Sequence, residues 1–149
     1  HAYLCGLLHN LGWLVLVHSF PSQMSSVFRK SDFNYYKGDS LFQREAVGMT
    51  YMEAGTILAR KWHLPDEVIV VTKHHLDADY RGKHWELSAL VGLSASLVTQ
   101  DYTGGEWDDE SDRYISGLHI ESDVIQKVSE IVYTTKPEII GMAKILSLD

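Results

Sequence analysis

Residues 50–75 read TYMEAGTILARKWHLPDEVIVVTKHH, and their pattern is helical twice over. Thr50 and Glu53 stand at capping-box spacing, where the threonine side chain and the glutamate carboxylate each satisfy a backbone N–H that a helix start leaves without a partner. That predicts a helix from Thr50 to about Trp62, with Trp62 as a packing residue at its end. Leu64-Pro65 stops it, because the residue before a proline is pushed out of the helical region. Pro65 is expected at the first position of the next helix, where its missing N–H costs nothing. Asp66 and Glu67 then fall beside the positive end of the helix dipole. This second helix runs into a pair of histidines, His74-His75.

Upstream, AYLCGLLHNLGWLVLVHS (Ala2–Ser19) is apolar on every side of a helical wheel, which predicts one helix over 2–18 buried all round. It lacks a basic leader region, falls short of the roughly 20 apolar residues of a membrane span, and is interrupted by His9, Asn10 and His18. A core helix is the expectation. Because the chain opens on His1, already inside this helix, a processed chain or a fragment is expected. Residues 20–38, with Phe33, Tyr35 and Tyr36, keep no period and are expected to form a long loop, followed by a short helix over Ser40–Val47. Downstream, HWELSALVGLSASLVTQDY (His84–Tyr102) predicts a long apolar helix and TGGEWDDESD (103–112) a solvated acidic loop. Two last helices are predicted over Ser122–Thr134 and Pro137–Leu146. Hairpin signals are missing, so the chain is expected to be all-α, one compact helical bundle over 1–149.

Composition narrows the function classes. A 45% hydrophobic content with eight Tyr, four Trp and four Phe supplies a core and argues against disorder. The net charge of −7 offers no basic stripe for phosphates, so neither nucleic acid nor an anionic membrane surface is an expected partner. The single cysteine, Cys5, excludes an internal disulfide and a multi-cysteine zinc site and fits a reducing cytoplasm.

Three polar places stand where a structural helix would prefer leucine: His9-Asn10, His74-His75, and Tyr51 with Glu45 upstream. Imidazole is the commonest side-chain ligand of divalent metals, and separate helices can converge their side chains in a bundle interior. Adjacent helical histidines diverge by about 100°, so at most one of His74 and His75 faces a given point squarely. A metal site and a set of core or helix-end histidines with backbone partners both remain open on spacing alone. Cys5 and His9 share a helix face but lack an orienting acid, and GLSAS (Gly92–Ser96) lacks the second glycine of a nucleophile elbow. Asp108, Glu110 and Asp112 alternate like a calcium loop, yet Arg113 takes the place of its glycine. No phosphate-binding or dinucleotide fingerprint is present.

AYLCGLLHNLGWLVL, EAVGMTYMEAGTILARKWHLPDEVIVVTKHH and LSALVGLSASLV, in this order and spacing, resemble the HDOD family, the HD-related output domains allied to metal-dependent HD phosphohydrolases. The resemblance implies an HD-type helical bundle of which the N-terminal helical half is missing here, the chain being a C-terminal portion. It also implies a ligand set, which this sequence keeps only in part. His9, His74 and His75 match ligand positions. Asn10 stands where an aspartate bridges metals, Tyr51 where a histidine is expected, and Ala95 near the last aspartate. A neutral amide cannot supply the charge that holds a dication or acidifies its bound water, and a binuclear site without carboxylates is disarmed. His9, His74 and His75 are left as ligands for at most a single divalent transition metal, and no cofactor is expected.

The reading that follows is a non-catalytic signal-transduction domain, a protein-interaction or ligand-sensing module with a nucleotide as a candidate ligand. The alternative is a metal-dependent phosphohydrolase acting on a nucleotide or cyclic dinucleotide through other residues, such as His18, Glu45, Glu53 or Asp77. A third reading rests on the apolar 2–18 helix. If it lacks cover, it predicts self-association or a protein partner.

Overall fold

The Thr50 capping box forms as its spacing predicts. The Thr50 hydroxyl accepts from the Glu53 N–H at 3.3 Å, and the Glu53 carboxylate accepts from the Thr50 N–H at 2.8 Å. The computed structural model describes residues 1–30, 39–103 and 109–146, and every regular element among them is a helix. In chain order these are α1 (Ala2–Leu8), α2 (Leu11–Ser19), α3 (Pro21–Lys30), α4 (Asp39–Val47), α5 (Tyr51–Lys61), α6 (Asp66–His74), α7 (Trp85–Thr103), α8 (Asp109–Leu118) and α9 (Ser122–Leu146). Helix α5 packs on α2 and α6; α1 lies against α6 and α7, and α7 carries α8 and α9. The result is a compact all-helical fold. Among the described residues its apolar interior falls into three clusters: Leu16, Met24, Val27, Tyr51 and Ala54; Cys5, Val68, Val71 and Val91; and Ala78, Ala89, Leu93, Leu97, Tyr114 and Ile125.

Glycine sets the closest approach. A Cβ on Gly12 would overlap the Tyr51 carbonyl and crowd the Gly55 N–H, so α2 crosses α5 backbone to backbone. Two helices end in the same unusual way. His63 (φ 54°) and His119 (φ 52°) hold the left-handed position that glycine normally takes after a helix. Leu64 N–H reaches the Ala59 carbonyl and Ile120 N–H the Ile115 carbonyl, the long bond of a Schellman motif in both cases.

Several sequence expectations need correction. The 2–18 segment is two helices, broken at His9 and Asn10, because asparagine favours helix boundaries over interiors. Nor is it buried all round: Tyr3 is 83% and Leu14 69% exposed, and Leu7 and Val17 also face outward. With Ser19 included it is, by length and composition, apolar enough to cross a membrane at a mean hydropathy of 1.2. The expected loop over 20–38 contains α3, whose Pro21 sits at the favoured first helical position and whose Met24 and Val27 are buried. Phe33, Tyr35 and Tyr36 lie outside the described residues. Pro65 precedes α6 as its cap residue instead of being its first residue. Trp62 is exposed, not packed. The acidic loop is in part α8, with Ser111 and Tyr114 buried; Asp108 lies outside the described residues. Finally, α9 runs unbroken through Pro137 where two helices were expected. Thr134 and Thr135 hydroxyls bond back to the carbonyls of Glu130, Ile131 and Val132 just before the proline.

Candidate functional site

His75 ends α6 and is completely buried. Its Nδ1 lies 3.0 Å from the Val71 carbonyl oxygen, which can only accept, so Nδ1 carries the proton. Nε2 of the neutral ring is then an acceptor, and the Tyr51 hydroxyl donates to it at 3.0 Å. The His75 backbone carbonyl in turn accepts from the Tyr114 hydroxyl at 2.6 Å. Burial, and after it the nearby His9 ring, push the His75 pKa down to about 4, against hydrogen bonding to the Val71 and Thr72 backbone. His75 is therefore neutral wherever the fold is intact near neutral pH.

Tyr51 is held from several sides. Its N–H donates to the buried Gln43 side-chain oxygen at 2.6 Å. Its ring stacks on Trp13 with centroids 4.9 Å apart, and Trp13 stacks on Phe28 at 5.5 Å. Gly12 presses against its carbonyl. On the other side, a Cβ on Gly92 would overlap the His75 carbonyl and touch the Tyr114 ring, so α7 passes the site at the one residue without a side chain.

The remaining sequence-predicted positions do not converge with His75 as ligands. His9 comes nearest, its ring edge-on to His75 with centroids 5.1 Å apart. His9 Nδ1 donates to the Gly6 carbonyl at 2.7 Å, and burial lowers its pKa while that hydrogen bond opposes the change. Asn10 is exposed. It therefore forms no buried polar cluster with His9. His74 diverges: its ring lies flat on Tyr80, centroids 3.9 Å apart, and burial first and Lys73 next lower its pKa, with Asp77 opposing. Ala95 is half-buried on α7 and offers only a methyl group. Of the alternative ligands, His18, Glu45 and Asp77 are exposed, and Glu53 is engaged by Thr50 and Arg44. Cys5 is a core residue whose thiol burial shifts upward in pKa.

Among the described residues no group of three or more His, Cys, Asp or Glu is placed to hold a metal ion. The donor set explains this. Both ring nitrogens of His75 are engaged, His74 faces elsewhere, and a carboxylate partner is missing. These residues do not fit the binuclear centre of the HD hydrolases, nor a three-histidine site. Sequence reasoning missed Tyr114, because α8 was not foreseen and a lone tyrosine carries no pattern. Gly92 was visible as a glycine inside a helical run, which signals close approach.

The HDOD domain model matches residues 1–78, from α1 through the His74-His75 pair. The chain is 29% identical over 77 residues to an uncharacterized protein of Treponema pallidum (strain Nichols), a match covering 50% of this chain and 14% of that protein. It also superposes on the 2.25 Å crystal structure of a Marinobacter aquaeolei VT8 protein provisionally assigned to signal transduction. The TM-score is 0.82 at 28% identity, over 98% of this chain and 32% of that one. The chain thus spans about a third or less of the length of either relative.

Proposed function

The chain belongs to the HDOD domain family, and on that premise we propose that it is a signal-transduction domain that works by docking proteins and carries out no hydrolysis of its own. The observation that carries the reading is the dispersal of the retained histidines. His75 spends its Nε2 on Tyr51, His74 stacks on Tyr80, and Asn10 faces solvent where a bridging carboxylate would be required. The likeness to a protein provisionally assigned to signal transduction supports the signalling role. Outward-facing Tyr3, Leu7, Leu14 and Val17 on α1 and α2 support docking of a protein partner or a second copy, since exposed apolar side chains grouped this way commonly mark interaction surfaces. The buried free thiol of Cys5 suits the cytoplasm.

The test is turnover. Nucleoside phosphates, cyclic nucleotides and cyclic dinucleotides, supplied with manganese, magnesium or zinc, should be returned unchanged. Metal-dependent hydrolysis that His75→Ala abolishes would overturn the proposal.

A further inference from the structure

The geometry points to His75 as a hydrogen-bonded hub that joins the three apolar clusters, with the Tyr51 hydroxyl standing on the ring nitrogen that a metal would need. Each of its three side-chain or carbonyl bonds reaches a different cluster. Nε2 accepts from Tyr51, which belongs to the α2–α3–α5 cluster; Nδ1 donates to Val71, in the α1–α6–α7 cluster; and the carbonyl accepts from Tyr114, in the α7–α8–α9 cluster. A fully protein-made junction occupies the place where the family resemblance implies a metal ligand. The hub goes beyond the docking role and stands whether or not that role is correct.

Two features make it a junction instead of an incidental pair of contacts. Tyr51 is held over His75 Nε2 by Trp13 stacked on its ring, while Gln43 on its N–H and Gly12 against its carbonyl fix its backbone. His75 itself cannot withdraw, because α7 touches its carbonyl at Gly92 and Tyr114 is bonded to the same oxygen. Buried polar networks of this kind are costly when half satisfied, so shifting α8 relative to α5 would leave at least one buried group without its partner. The hub fixes how the two ends of the domain sit together, the task a bridging metal performs by drawing ligands from several helices.

The test reads His75 directly. Side-chain nitrogen NMR of the wild-type protein at neutral pH should show the Nδ1–H tautomer, and one equivalent of zinc should leave both nitrogens unshifted. An Nε2–H tautomer, or a zinc-induced shift of His75 at stoichiometric metal, overturns the hub. The second arm is a double-mutant cycle on unfolding with Tyr51→Phe and Tyr114→Phe. The unfolding constant of the double variant should depart several-fold from the product of the single effects. Independent effects would contradict a shared junction. Should Tyr51→Phe fail to fold, the wild-type tautomer and zinc arms still decide the question.

Discussion

His75 shows what burial does to a histidine. Its pKa falls from the ordinary 6.5 to about 4 on folding, chiefly through burial. The unfolded chain therefore binds more protons than the folded one between these values, and stability must fall as pH drops from about 6.5 to about 4. A difference of that size corresponds to about 3 kcal/mol lost by pH 4. Burial shifts His9 in the same direction and adds to the loss. Urea unfolding from pH 7.5 to 4 should show it, and His75→Gln should flatten most of the slope. An equally steep slope in that variant would place the effect elsewhere. At the same scale, His63 holds a left-handed φ of 54° at an exposed helix end, so His63→Gly should raise stability by about 0.5–1 kcal/mol, read as an upward shift in the urea midpoint. The histidines themselves were legible in the sequence, and the family resemblance implied that Asn10, Tyr51 and Ala95 stand at former ligand positions. That Tyr51 would bond to His75 was not legible, because the contact spans two helices and depends on α5 packing closely on α6, where Gly55 lies against Thr72.

Elements were readable where punctuation was local. The box at Thr50 and the Leu64-Pro65 break placed α5 and α6 within a residue. Pro21 before Met24, Val27 and Phe28 carried an equally local signal for α3, but the polar residues between them masked its period. Hydrophobicity alone misled at Ala2–Ser19, since an all-apolar segment reports what a helix is able to bury and not what its neighbours cover. Proline misled at α9, which runs through Pro137 in an exposed stretch and bears the proline's cost there. Pro137→Ala should therefore stabilise α9 by about 1–3 kcal/mol, visible as slower amide exchange across residues 130–142. Unchanged exchange would mean that the helix is not continuous there. Gly12→Ala should act in the opposite sense. Its Cβ would overlap the Tyr51 carbonyl, forcing α2 off α5 at a cost of about 1–3 kcal/mol or more in chemical denaturation. A near-neutral effect would contradict the backbone-to-backbone crossing.

At the scale of the whole molecule, three modest apolar clusters among the described residues meet around the buried imidazole of His75, and exposed apolar side chains recur on two helical faces among others. One is the α1–α2 face; the other lies on α9, where Val124, Val128, Ile131, Ile139 and Met142 are exposed at close to heptad spacing. The bundle class followed from the sequence because nearly every strong local signal was helical. The packing of α8 and α9 on α7 did not, since α8 was masked by an acidic stretch that read as loop. The account turns on whether the histidines that the resemblance matches to ligand positions hold a metal. Elemental analysis of the protein purified without chelator, beside His75→Ala, is the direct measurement. The account predicts transition metal far below one equivalent in both. A near-stoichiometric metal in the wild-type protein that His75→Ala loses would contradict it.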